Sequence, residues 1–155
     1  MQKWQKIKAS NPLSVNHTFT KAERLCSQIA IDWLFDGKGN SFSVFPLRVI
    51  FKSVEAPSLS DSTSRSGYML PKLLISVPKK RFHHAVDRNR IKRLLREAYR
   101  KKKSPLVAFA STHHLSITLA FIYLTNEAAT AAELEEHVST ALSRIVRTLE
   151  HESAR

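Results

Sequence analysis

The chain has 155 residues, 43% of them hydrophobic, which is enough for one compact domain with a core and too few for two well-buried ones. Its 25 Lys and Arg against 13 Asp and Glu give a formal net charge of +12, so an anionic partner is expected. The single cysteine, Cys26, excludes an internal disulfide, and no apolar run reaches the roughly 18 residues of a membrane helix, so the expectation is a soluble protein of a reducing, cytoplasmic compartment.

Residues 1–18 are polar and basic, and MQKWQKIKAS lacks the apolar stretch and cleavage site of a secretory signal, so they read as a flexible cationic arm. One domain is expected over 19–151, with 152–155 as a short tail. Thr20 and Glu23 form a T-x-x-E capping pattern for a first helical turn, and Ser27 is a second helix start. From Ser27 to Asp36 the residues Ile29, Ala30, Ile31, Trp33, Leu34 and Phe35 cover more of a helix than one core-facing stripe needs, which predicts two apolar contacts.

GKGN (37–40) ends that helix. SFSVFPLRVIFKSV (41–54) is β-branched and aromatic, with Pro46 splitting a short strand from a longer one. Alternation sends Leu47, Val49 and Phe51 to the core and Arg48, Ile50 and Lys52 to the other face. Residues 55–69 form a Ser-rich loop, and LPKLLISV (70–77) is a further strand with Leu73, Ile75 and Val77 inward. After a basic helix and an undefined stretch at 104–114, LSITLAFIYL (115–124) reads as a buried strand. A capping box at Thr130 and Glu133 opens a last amphipathic helix carrying Leu134, Val138, Ala141, Leu142, Ile145 and Leu149. The order is α-β-β-β-α-β-α, an α+β single domain.

Charge is concentrated: twelve bases and two acids, Asp87 and Glu97, lie between Lys79 and Lys103. At about 100° per residue, Ile91, Leu94, Leu95 and Ala98 form a docking stripe, and Arg88, Asn89, Lys92, Arg93, Arg96 and Arg100 share an arc of about 140° nearly opposite. A merely solvated face would mix signs, whereas Glu97 is the only acid from Arg88 to Lys103, placed to position Arg93 or Arg90 locally. Arginine forks pair with phosphate and stack on bases, and Asn89 can read a base edge or a 2′-hydroxyl, which suits structured RNA.

The run ISVPKKRFHHAVDRNRIKRLLREAYR (75–100) resembles the signature of the bacterial ribonuclease P protein family: a strand, a Lys-Lys pair, then R-N-R-x-K-R opening a helix. Arg24-Leu25, the last strand and the last helix extend the resemblance over roughly 20–150. It implies an αβββαβα fold of the ribosomal protein S5 domain 2 type, with a left-handed crossover against the usual rule. It implies a subunit of a precursor-tRNA 5′ endonuclease whose catalytic RNA, with Mg2+, performs cleavage, so that no protein residue is catalytic and the protein itself is assigned no cofactor. Carried over by position, Arg88, Asn89, Arg90, Lys92, Arg93, Arg96 and Arg100, with Lys79 and Lys80, would contact the catalytic RNA. A cleft for the 5′ leader of precursor tRNA would include Ile31 and Phe35 of the first helix and Arg48, Ile50 and Lys52 of the sheet. The family often has rings at the positions of Ile31 and Ile50, so Phe35 is left as the stacking candidate.

Other chemistry finds little support. His83-His84 and His113-His114 are adjacent pairs whose side chains diverge, with no Cys or carboxylate set to complete a metal site. No phosphate-binding G-x-x-x-x-G-K is present, and Cys26 has no activating His pattern. A non-catalytic RNA-binding protein is the alternative function class, and a DNA-binding helix protein a distant third.

Overall fold

The computed structural model describes residues 18–55 and 70–155; the expected arm and Ser-rich loop lie outside the described residues, apart from Thr18 and Glu55. A 3-10 turn, Lys21–Glu23, carries the capping box read at Thr20 and Glu23. Helix α1 (Gln28–Leu34) follows from its N-cap Ser27, and Gly37, at φ 85°, turns the chain away from it. Strands β1 (Asn40–Val44) and β2 (Leu47–Glu55) form a hairpin whose register runs from Asn40 opposite Phe51 to Val44 opposite Leu47. Strand β3 (Lys72–Ser76), helix α2 (Ala85–Lys102), helix α3 (Ser104–His113), strand β4 (Leu115–Tyr123) and helix α4 (Ala131–Ser153) complete the chain.

Helix α3 occupies the stretch that the sequence left undefined. Pro105 fits its first turn, where no backbone N–H is needed, and it buries Leu106, Val107, Phe109 and Ala110. His114, left-handed at φ 52°, ends it and lets β4 begin one residue later. Helix α4 continues to Ser153, into the segment read as a tail.

The four strands form one sheet in the order β1-β2-β4-β3, antiparallel except for the parallel pair β3-β4, which α2 and α3 connect. The main core fills one face: Leu47, Val49, Phe51, Leu73, Ile117, Leu119 and Phe121 meet Ile91 and Leu95 of α2 and the apolar stripe of α4. Ile75, read as inward, is half-buried and packs at its edge, while Val77 is buried beyond β3.

The second face carries a smaller cluster in which Leu25, Leu34 and Ala120 are buried and Ala30, Ile31, Ile50 and Leu74 pack around them. Ile50 and Leu74 both pair with Ala120, so α1 lies over one row of the sheet. That is one apolar contact rather than the predicted two: Ile29 is 83%, Phe35 42% and Trp33 37% exposed.

Lys103, counted in the cationic run, is inside. Only 1% exposed, it forms an ion pair of 2.5 Å with fully buried Glu23 and also donates to Thr18 O. This clamp fixes the α2–α3 junction to the segment before α1, and Phe19 stacks edge-on against buried Tyr99 beside it.

Candidate nucleic-acid interface

Helix α2 presents its charge along a crest set by its buried side. Ile91, Leu95, Ala98 and Tyr99 are buried, whereas Leu94 is only half-buried. Tyr99 was missing from the stripe read in the sequence, and including it turns the outermost line toward Asn89, Arg90 and Arg93. Arg88, Lys92, Arg96 and Arg100, expected to share one solvent face with Asn89 and Arg93, are half-buried on its flank.

Two of these arginines have internal duties. The Arg88 guanidinium donates to the carbonyls of Phe82 and His83, each at 2.8 Å, and so fastens the chain entering α2 to the helix's first turn. Arg100 donates to Glu97 at 2.5 and 3.0 Å, which corrects the expected pairing of Glu97 with Arg93 or Arg90. That contact holds the Glu97 carboxyl below its usual range. Among the described residues, Arg90, Lys92, Arg93 and Arg96 have no carboxylate partner, so the crest keeps its charge.

Lys79 and Lys80 are exposed on a turn closed by the Arg81 N–H donating to Pro78 O at 3.0 Å. Four residues separate Lys80 from Ala85, the first residue of α2. Arg88's role is not legible in the sequence, because a bond to carbonyls earlier in the chain has no residue-type signature.

The residues assigned to a leader cleft divide. Ile31 and Ile50 pack against the small second core. Lys52 is committed: its ammonium contacts Asp36 Oδ1 and Trp33 O, each at 2.5 Å, and lies 4.5 Å from the centre of the Trp33 ring. Gly39 gives its stem room, since a Cβ there would sit 3.1 Å from Lys52 Cγ. Asp36 also accepts from the Lys38 N–H, and with Lys52 this holds its carboxyl below the ordinary 3.8. Phe35, at the C-terminal end of α1, and Arg48, on β2, remain exposed on this side of the sheet.

Among the described residues no group of His, Cys, Asp or Glu converges to hold a metal ion, and no helix is long and apolar enough to cross a membrane. His113 instead bonds Phe109 O at 3.1 Å and stacks on the Phe109 ring.

The ribonuclease P family model matches residues 19–146. The ribonuclease P protein component of Porphyromonas gingivalis strain ATCC 33277 is 37% identical over 126 residues, covering 81% of this chain and 85% of the relative. That of Chlorobium phaeobacteroides is 42% identical over a shorter stretch, covering 42% of this chain and 48% of the relative. The RNase P proteins of Staphylococcus aureus and Thermotoga maritima share the fold at TM-scores of 0.55 and 0.55, with 23% and 21% identity; they cover 81% and 79% of this chain, and 96% and 96% of their own lengths are matched. The chain belongs to the ribonuclease P protein family.

Proposed function

We propose that this protein is the protein subunit of ribonuclease P, binding the catalytic RNA through α2 and the Lys79–Lys80 turn and the 5′ leader of precursor tRNA beside α1. The cationic crest of α2 carries the reading. Asn89, Arg90 and Arg93 stand outermost on a helix whose opposite side is bolted to the core, so their heads meet a polyanion without reorganising the fold. Like charges at i,i+4, such as Lys92 with Arg96, cost a few tenths of a kcal/mol in the free protein, and phosphates lying along the helix remove that cost.

In this reading the RNA and its Mg2+ ions perform the cleavage, and the protein contributes grip and orientation. The second face of the sheet receives the leader. Phe35 offers a ring for an unpaired base and Arg48 a charge for its phosphate, while Ile31, Ile50 and Lys52 build the wall that holds them. The reading is tested by measuring affinity for ribonuclease P RNA, and then affinity of the assembled holoenzyme for precursor tRNA with and without a leader. Tight assembly and a leader-dependent gain support it; assembly with no leader dependence removes the cleft assignment, and failure to assemble removes the subunit assignment.

A further inference from the structure

Asp87 is out of place on an RNA-binding helix. Of the two acids between Lys79 and Lys103, Glu97 is neutralised by Arg100, but Asp87 has no cation within ion-pair distance among the described residues, although Arg90 lies three residues on. Its place in the first turn of α2 suits the helix dipole, but next to a phosphate backbone it repels.

Asp87 lines a cavity of about 370 Å3 formed by Phe82, α2 and the loop joining β4 to α4. Ile91, Leu94 and Phe82 supply its apolar lining, and Arg90 and Asn126 are its other polar groups. The walls are fixed without any ligand. Phe82 packs on Tyr123 at 5.8 Å between ring centres, and the Tyr123 hydroxyl donates to Glu127 O at 2.6 Å and accepts from the Ala129 N–H at 3.0 Å. The volume lies at the lower end of small-ligand sites, and an apolar lining with a few polar groups on the rim is their usual composition.

The pairing capacities of a carboxylate and a guanidinium lining one cavity favour one nucleobase. A carboxylate accepts two parallel hydrogen bonds, and guanine alone offers adjacent N–H donors, at N1 and N2, on its Watson–Crick edge. Adenine and cytosine would each set a ring-nitrogen lone pair, N1 or N3, against the carboxylate beside a single amino donor, and uracil has one N–H. The guanidinium of Arg90 suits guanine O6 and N7, which only accept, and Phe82 and Leu94 suit the base's face.

We infer that this cavity binds an unstacked guanine of the RNA that lies along α2, with Asp87 accepting from its N1–H and N2–H. The inference rests on the proposed RNA-binding role of α2 and adds to it a base-reading site beside the phosphate contacts.

Two measurements test it. Labelled protein is titrated with GMP, AMP, CMP and UMP while backbone amide shifts are followed; GMP alone is expected to saturate shifts confined to residues 82–94 and 126–129. In parallel, Asp87→Asn and wild type are bound to ribonuclease P RNA at one salt concentration. Loss of a base contact weakens Asp87→Asn by roughly 10- to 100-fold. Removal of a repelling charge alone would tighten it. Equal responses to the four nucleotides, or an Asp87→Asn variant that binds RNA as well as or better than wild type, overturns the guanine site. Failure of wild type to bind the RNA would instead overturn the subunit reading, and the nucleotide titration would still decide the pocket.

Discussion

Arg93 stands at the crest of α2, exposed and without a carboxylate partner among the described residues, so its removal isolates a phosphate contact. Arg93→Ala is expected to weaken assembly with ribonuclease P RNA and to reduce the slope of log affinity against log salt by about 0.7–0.9. Binding isotherms at several salt concentrations check this, and an unchanged slope would move the interface off α2. Arg88→Ala is a less clean variant, because it also frees the Phe82 and His83 carbonyls. Phe35→Ala removes an exposed ring from the end of α1 and is expected to weaken leader-bearing substrates by roughly 1–3 kcal/mol while sparing leaderless tRNA. Equal losses for both substrates would assign the ring to folding. Asp36 titrates with a lowered folded pKa, chiefly because Lys52 hydrogen-bonds to it. Its contribution to stability is therefore complete above the unfolded value of 3.8 and is lost as pH falls through the lower folded value. The urea-midpoint difference between wild type and Asp36→Asn should hold steady near neutrality and shrink below pH 3.8. A difference independent of pH would mean that the Lys52 contact does not depend on the carboxylate's charge.

The elements most legible in the sequence were those whose apolar pattern has a single purpose. Alternation in β2 placed Leu47, Val49 and Phe51 correctly, and the capping box at Thr130 and Glu133 placed the start of α4. Less was legible where residues serve two purposes. In α1 the apolar excess promised a second contact, but Ile29, Trp33 and Phe35 stay exposed because the sheet receives only the Leu34 side. In α2 a tyrosine near the helix end carried no sign of burial, and the polar face shifted with it. Lys103 could not be told from its neighbours Lys101 and Lys102, since its carboxylate partner lies 80 residues earlier in the chain. That clamp gives the fold a point of weakness. Lys103→Met leaves Glu23 buried and unpaired and is expected to cost about 3–5 kcal/mol, whereas replacing both residues with apolar side chains costs far less. Urea unfolding of the single and double variants checks this, and a single variant within 1 kcal/mol of wild type would show that water reaches Glu23.

At the scale of the molecule, the sheet separates two surfaces. Helices α2 and α4 pack on one face and seal the main core, leaving the cationic crest of α2 outward, while α1 covers only part of the other face. A formal charge of +12 on 155 residues gives the protein a long-range attraction for polyanions, and the proposed function assigns the two surfaces to two different RNAs. In the proposed function this attraction promotes precursor-tRNA processing. Multiple-turnover 5′ processing of a precursor tRNA by ribonuclease P RNA at low magnesium, with and without the protein, decides it. Strong stimulation that falls away at high magnesium is the predicted result; tight RNA binding with no stimulation at any magnesium concentration would contradict it.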